Sequence, residues 1–210
     1  MTAKAVEQQD LATDEVQILQ LWGTHGTSRS RADDIYKSSF VLKPGRIGIG
    51  AYFWTAIDNS EECIGLAKRL ATAWATKSLR SGQYADDEDD SLAIVEVSIE
   101  VGTHEVLPLD DPKLTYRLWS LLRRKLSEML GIDGDADWAK VNLGKHQRDI
   151  HGFIEAFILE LEENMDQKFK VIFKSQICPT YSDPVLPYIG NHSCFAVRDA
   201  GIIKIMNVTN

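Results

Sequence analysis

The hydrophobic positions of this chain recur with two periods, which predict strands and helices in alternation. Residues 16–22 (VQILQLW) form a β-prone run that ends at the Gly23-Thr24 pair, where we expect a break. Residues 48–54 (GIGAYFW) predict a second strand. Residues 93–101 predict a third, because apolar residues alternate there with Glu96, Ser98 and Glu100 on a wet face. The closing strands are predicted over residues 169–173, 194–197 and 202–206, the last two forming a pair through a turn at 199–201.

Helical spacing fills the intervals between these strands. A short helix over residues 31–38 would turn Ala32, Ile35 and Tyr36 inward. Asn59, with Glu62 three residues later, predicts a capping box for a helix that packs through Ile64, Ala67, Leu70 and Trp74. Asp111-Pro112 predicts the start of a helix that ends at Gly131, and an apolar stripe over residues 150–161 predicts another. The acidic residues 85–90 (ADDEDD) predict a solvated loop.

These elements predict an α+β fold with a mainly antiparallel sheet. Residues 1–14 are polar and acidic, so we expect a flexible lead-in followed by a single domain over residues 15–210. A hydrophobic content of 44 % suits a sizeable core, and no run approaches the length of a membrane span. We therefore expect a soluble, cytoplasmic protein with no membrane contact.

Charge and cysteine content narrow the classes of function. The net charge of −8 argues against a protein held to nucleic acid or anionic membrane by bulk charge alone. The 3 cysteines lack CxxC spacing, and the histidines are dispersed, so neither a disulfide framework nor a zinc site is expected.

The segment from residue 24 to residue 56 carries the candidate chemistry. His25 lies between Gly23 and Gly26 directly after the first predicted strand, so a ligand can approach the backbone closely there. Gly48 and Gly50 alternate along the next strand and would clear one face of it, ahead of the Tyr52 ring. Together these residues predict a cleft for a planar heterocycle that carries hydroxyl groups. No Rossmann fingerprint or P-loop is present.

At these residues the chain resembles the ADP-ribosyltransferase superfamily, in its poly(ADP-ribose) polymerase-like, His-Tyr-Glu form. The resemblance lies in His25-Gly26-Thr27, in the short helix leading to Phe40, in Gly48-x-Gly50-x-Tyr52-Phe53 and in the closing FAVRD and IIKI strands. It covers about half of the chain, and residues 102–168 match nothing in the family pattern. It implies a split, mainly antiparallel sheet with flanking helices and NAD as the substrate.

The resemblance also implies a role for each motif residue. His25 would hydrogen-bond a ribose hydroxyl and the amide region of nicotinamide, and Gly26 would offer its backbone to the carboxamide. Tyr52 would stack on the nicotinamide ring, and Tyr36 would form the other side of that sandwich. The remaining NAD contacts expected on this basis are Thr27, Ser28 and Gly50.

The family's catalytic glutamate is missing, because Cys194 stands at its position. Three accounts stay open. In the first, another carboxylate takes the role of the glutamate, with Glu155, Glu96 and Glu100 as candidates. In the second, His192, Ser193 or Cys194 performs that role less effectively. In the third, the protein only binds NAD or a nucleotide. The substitution implies transfer of single ADP-ribose units rather than polymer synthesis.

The expected activity is that of a mono-ADP-ribosyltransferase, a bacterial toxin or phage-defence effector that modifies a protein or nucleic acid and is restrained by an antitoxin if it is a toxin. The alternatives are an NAD glycohydrolase, an inactive NAD- or ADP-ribose-binding module, and an RNA 2′-phosphotransferase, which would need further arginines at the site. A cluster of basic residues near the cleft would contact the NAD pyrophosphate or a nucleic-acid acceptor, or is scattered surface charge: Arg29, Arg31, Lys37, Lys43 and Arg46.

Overall fold

The structure is a computed structural model that describes residues 17–177, 185 and 190–210. Its strands are β1 (Ile18–Ser28), β2 (Lys43–Gly45), β3 (Gly48–Ala56), β4 (Leu92–Gly102), β5 (Val106–Pro108), β6 (Val171–Gln176), β7 (His192–Val197) and β8 (Ile203–Thr209). Its helices are α1 (Arg29–Ser38), α2 (Glu61–Arg80), α3 (Pro112–Leu130), α4 (Asp135–Trp138) and α5 (Gln147–Met165). The predicted lead-in over residues 1–14 lies outside the described residues.

The strands form one mixed sheet in the order β5-β6-β7-β3-β1-β4-β8, with β2 attached to β3. Among the described residues, the strands pair antiparallel except for β5 with β6, so the predicted coarse class, a mainly antiparallel α+β fold, is confirmed. The junction between β1 and β3 is short, because only Trp22 to Thr24 pair with Trp54 to Ala56. By contrast, β1 pairs with β4 along its whole length, from Ile18 to Ser28. The sheet therefore divides beyond Thr24 into a β5-β6-β7-β3 half and a β1-β4-β8 half.

Two apolar clusters pack on this sheet. One joins the sheet to α2, α3 and α5 through side chains such as Trp54, Leu70 and Phe157. The other joins residues from both halves of the sheet, with Phe53 and Phe195 from one half and Val97 from the other. Because successive residues of a strand point to opposite faces, neighbouring residues of β3 contribute to different clusters.

The first strand is longer than the sequence pattern predicts. Gly23 was expected to break the chain, but β1 runs through Gly23, His25 and Gly26 to Ser28. The glycines serve close packing instead of a turn. A Cβ at Gly23 would lie 2.7 Å from the Phe195 ring, and a Cβ at Gly26 would lie 2.1 Å from the Ala71 carbonyl oxygen on α2. His25 is therefore a residue within a strand, and the expectation that it follows one is wrong.

Several local predictions are corrected in the same way. β7 and β8 are not a pair, because β7 pairs with β3 and β6 while β8 pairs with β4 at the far edge. The N-cap of α2 is Ser60 rather than Asn59, and its hydroxyl accepts from the Cys63 N–H at 3.3 Å. Tyr36 and Trp74 point to solvent rather than inward, with 68 % and 37 % of their surface exposed.

The acidic segment after α2 is solvent-exposed as predicted, apart from Asp87, and it is also anchored to the start of α1. The Asp87 carboxylate accepts hydrogen bonds from the Ser28 hydroxyl and from Arg31 at the start of α1. Tyr84 is buried beside it, with the Arg31 guanidinium 4.9 Å above the ring centroid. The sequence predicts the charge and exposure of this segment but not its contacts with Ser28, Ser30 and Arg31.

Candidate functional site

The candidate site is the opening between β1 and β3 where their pairing ends. Main-chain groups of successive strand residues point alternately to the two neighbouring strands. The Gln17 carbonyl accepts from the Thr103 N–H, and the Arg29 N–H donates to the Ser91 carbonyl, so odd-numbered residues of β1 face the β4 side. Even-numbered residues face β3, and Gly26 lies just beyond the last pair, Thr24 with Trp54. The N–H and the C=O of Gly26 thus both face the opening.

The side chain of His25 spans this opening. Its Nδ1 atom lies 2.9 Å from the main-chain oxygen of Tyr52 on β3. A carbonyl oxygen only accepts, so Nδ1 carries the proton. Burial, together with the positive charge of Lys43, lowers the pKa of His25, and its neutral ring therefore presents Nε2 as an acceptor. Phe40 and Phe53 hold the ring edge-on, with centroids at 5.4 and 6.1 Å.

Tyr52 lies on the opposite side of the opening from His25, and its side chain takes the other face of the sheet. The ring packs against the cluster of α2 and α5, whereas the His25 ring packs against Phe53 of the second cluster. The Tyr52 hydroxyl donates to the Gly48 carbonyl at 2.6 Å and accepts from the Ile47 N–H at 3.2 Å. Burial raises the pKa of Tyr52 to about 12, so the phenol stays protonated. The side chain is half-buried, so only part of the ring remains exposed to a ligand.

Cys194 lies opposite Trp54 in the pairing of β7 with β3 and faces the same side as Tyr52. The side chain is buried, and burial raises the pKa of its thiol to about 12. The group is therefore a neutral thiol throughout the ordinary pH range. It cannot supply the negative charge that the resemblance places at this position.

Glu155 is near Tyr52 but is engaged in fastening α5 to the sheet. Its Oε2 atom accepts from the Ile49 N–H at 2.7 Å and from Arg198 Nη1 at 2.8 Å. The second nitrogen of Arg198 lies 3.9 Å from Glu162, a buried carboxylate that also accepts from the Phe169 N–H. We infer that Glu155 is a positioning residue for the hairpin of β2 and β3.

The other candidates for the missing carboxylate lie elsewhere or have partners. Glu96 forms an ion pair with Lys68 at 2.9 Å and accepts from Asn207. Glu100 is exposed and pairs in register with Gln20, near the start of β1 and away from the opening. The Ser193 hydroxyl contacts the Thr55 hydroxyl at 3.1 Å, and His192 is buried at the start of β7, opposite Gln176.

The remaining predicted NAD contacts have structural partners. Ser28 is fully buried and donates to Asp87, and Thr27 is also buried. Gly50 admits β7, since a Cβ there would lie 2.9 Å from the Val197 carbonyl oxygen, and Gly48 admits the Ile158 side chain of α5. The face that these glycines were expected to clear is therefore filled by protein. The exposed Tyr36 ring is packed against neither apolar cluster.

The predicted basic cluster separates into paired and unpaired cations. Arg29 pairs with Asp33, and Arg31 pairs with Asp87. Lys37, Lys43 and Arg46 have no ion-pair partner in the described part of the chain. Arg46 lies at the tip of the hairpin that contains the partners of the Tyr52 hydroxyl.

Sequence reasoning did not find two features of this site. Arg198 was present in the FAVRD segment, but nothing in the sequence joins it to Glu155, which is 43 residues away. The orientation of the Gly26 peptide groups depends on the register of β1 against β4, and this register could not be predicted from a single sequence. Phe40, which follows α1 in the chain, contacts the His25 ring edge-on.

Comparisons with protein-family models, with curated proteins and with solved structures find no match for this chain. Within the described ranges, His, Cys, Asp and Glu side chains form no group of three or more that could hold a metal ion. In the same residues, no helix has both the length and the apolar character needed to cross a membrane.

Proposed function

We propose that this protein binds NAD at the opening between β1 and β3 and transfers its ADP-ribosyl group to an acceptor. The observation that carries the proposal is the pair of main-chain groups of Gly26 that faces the opening beside His25. A primary carboxamide has one acceptor oxygen and a donor NH₂ group. It can therefore bond to the N–H and the C=O of one residue at once, as a neighbouring strand would.

His25 supports the same reading through its tautomer. With Nδ1–H fixed on the Tyr52 carbonyl, Nε2 can accept a hydrogen bond from a ribose hydroxyl. The two flanking phenyl rings hold this geometry before any ligand binds. A carboxamide on Gly26 and a ribose hydroxyl on His25 would fix the glycosidic bond that lies between these two parts of NAD.

The proposed reaction breaks the bond between C1′ of the ribose and the nicotinamide nitrogen, and the bonding electrons leave with nicotinamide. The acceptor nucleophile then forms a bond to C1′ and releases its proton. Positive charge develops on the ribose in the transition state, and none of the described carboxylates is unpaired beside His25. We therefore propose slow, single transfer that relies on orientation of NAD rather than on a carboxylate that stabilises the ribosyl cation.

Incubation with NAD labelled in its adenylate part tests the proposal. Nicotinamide release is measured by chromatography, and added mass is sought on protein, RNA and DNA by mass spectrometry. We expect nicotinamide release together with a mass increase of one ADP-ribosyl unit on an acceptor. Release of free ADP-ribose with no labelled acceptor would instead select the glycohydrolase, and absence of nicotinamide release from the folded protein would overturn transfer and hydrolysis alike.

A matched set of variants tests the assignment of residues. We expect His25→Ala to reduce nicotinamide release by about 100-fold, the lower range for a lost catalytic hydrogen bond. Cys194→Ala should keep the wild-type rate within about threefold, because a buried neutral thiol contributes no charge to the transition state. Equal rates for His25→Ala and the wild type would remove His25 from the site.

Binding of NAD without turnover is the second candidate function. It is favoured by the neutral thiol of Cys194, which stands where the resemblance expects a carboxylate, and by the engagement of Glu155 with Arg198. Calorimetry that detects NAD binding, with no nicotinamide released over a long incubation, would select this candidate.

A further inference from the structure

A second candidate site lies beside the hairpin of β2 and β3, on the α5 side. It is a surface depression of about 470 Å³, which is within the usual range of small-ligand sites. Leu143, Ile150 and Ile154 give it an apolar floor, and Arg46, Gln147 and His151 supply polar groups. We call this feature the α5 depression. No carboxylate is among its lining residues.

The charge around the α5 depression opposes that of the whole protein. The chain has a net charge of −8, yet Asp149 is the only acidic residue between positions 140 and 154. Lys145 and Arg148 adjoin the lining residues in sequence and, like Arg46, have no ion-pair partner in the described residues. Asp149 itself faces His146, with 3.9 Å between Oδ2 and Nδ1. Within the described part of the chain, Arg46 is therefore an unpaired cation in the lining of the depression, and such a group suits an anionic ligand.

The depression borders the hairpin that contacts Tyr52, on the face of the sheet opposite the His25 ring. Arg46 precedes Ile47, whose N–H donates to the Tyr52 hydroxyl at 3.2 Å. Ile154, on the floor of the depression, is followed by Glu155, which holds the Ile49 N–H at 2.7 Å. The hairpin of β2 and β3 therefore contacts the Tyr52 phenol and also borders the α5 depression at its tip.

We propose that the α5 depression binds a phosphate-bearing nucleotide unit, with the phosphate at Arg46 and the base over Ile150 and Ile154. A guanidinium favours phosphate through two parallel hydrogen bonds, and an apolar floor favours the flat face of a base. The further step, that this unit belongs to the acceptor of the ADP-ribosyl group, rests on the proposed function. The binding step does not depend on it.

The test uses NMR titration of the full-length, isotope-labelled protein with adenosine 5′-monophosphate. Inorganic phosphate and adenosine serve as partial ligands. Arg46→Ala is compared with Lys204→Ala, which removes an exposed positive charge on the edge strand β8, separated from β3 by β1 and β4. We expect the monophosphate to shift the signals of His151 and Ile150. We also expect Arg46→Ala to weaken its binding by at least about tenfold, the low end for loss of charge-assisted hydrogen bonds. Lys204→Ala should bind the monophosphate as tightly as the wild type does. Adenosine, which has no phosphate, should bind equally to Arg46→Ala and to the wild type.

Two results would overturn the site. One is unchanged signals of His151 and Ile150 at saturating monophosphate, and the other is equal binding of the monophosphate by Arg46→Ala and the wild type. Parallel titration with a single-stranded RNA tetramer separates the two sources of the same chemistry. Tighter binding of the tetramer identifies nucleic acid, and equal binding identifies a free nucleotide.

NAD itself is the last arm of the experiment. Should NAD compete with the monophosphate and depend on Arg46 to the same degree, the depression belongs to the NAD site and the acceptor assignment is wrong. If the protein neither binds nor cleaves NAD while monophosphate binding still depends on Arg46, the proposed function fails and the nucleotide site stands.

Discussion

Removal of the Glu155 carboxylate gives the sharpest test of how the hairpin beside Tyr52 is held. In the Glu155→Ala variant, Arg198 keeps only Glu162 as a distant partner, at 3.9 Å, and the Ile49 N–H loses its acceptor. Both members of the Glu155 and Arg198 pair are 13 % exposed, so solvent screens the pair only weakly. Breaking a fully buried pair costs roughly 3–5 kcal/mol, and a hydrogen bond to a charged group contributes about 1.5–3 kcal/mol. Allowing for the residual exposure, we expect the free energy of unfolding to fall by about 3 kcal/mol.

Urea unfolding measures this change directly. Glu155→Gln keeps an acceptor for the Ile49 N–H and loses only the ion pair, so about half of the effect should remain. Glu160→Gln, at an exposed position of the same helix, is the matched control and should change the free energy of unfolding by less than about 0.5 kcal/mol. A loss below about 1 kcal/mol in Glu155→Ala would refute the fastening role. Loss of nicotinamide release in a folded, NAD-binding Glu155→Gln variant would make Glu155 the missing catalytic carboxylate.

Three further predictions address the opening and its surroundings. Gly26→Ala should lower the free energy of unfolding by more than about 3 kcal/mol, because its Cβ would lie 2.1 Å from the Ala71 carbonyl oxygen of α2. Gly65→Ala, also in α2 and with nothing within 4 Å of its Cβ, should raise the free energy of unfolding by up to about 1 kcal/mol. Similar effects of the two variants would contradict the packing of α2 on β1. Asp87→Ala should release the segment between α2 and β4 from α1, seen as faster amide exchange there, whereas Asp86→Ala should not. Burial lowers the pKa of His25 in the folded protein, so the unfolded chain takes up its proton first and stability is lost as the pH falls below about 6.5. Urea midpoints between pH 5 and pH 8 should therefore show a shallower pH dependence in His25→Gln, and an unchanged slope would show that His25 is accessible to water.

Hydrophobic periodicity identified most elements of this fold. Pro112 and Gly131 bound α3 as the sequence predicts, with Asp111 accepting from the first-turn N–H groups and Gly131 in the left-handed conformation. These features are readable because capping depends on a few adjacent residues. The pairing partners of β7 and β8 could not be predicted from the sequence, because strand pairing depends on the packing of the whole sheet. A short connection suggested a hairpin where the structure has two separated strands.

The candidate site was predicted in outline but not in detail. His25, Gly26 and Tyr52 were selected from glycine spacing and family resemblance, and the structure brings their main chains to one opening. The role of the glycines was misjudged, because a missing Cβ clears space equally well for a ligand or for a packed helix. At Gly26 and Gly48 that space is taken by α2 and α5. Only the three-dimensional packing distinguishes the two uses.

Amide NMR of the isotope-labelled protein, titrated with NAD, would show whether the nicotinamide end of NAD binds in the opening at Gly26. We expect NAD to shift the Gly26 amide signal, nicotinamide alone to shift it in the same direction, and His25→Ala to weaken NAD binding. Unchanged Gly26 and His25 signals at saturating NAD, or shifts confined to signals distant from the opening, would contradict binding of nicotinamide at Gly26.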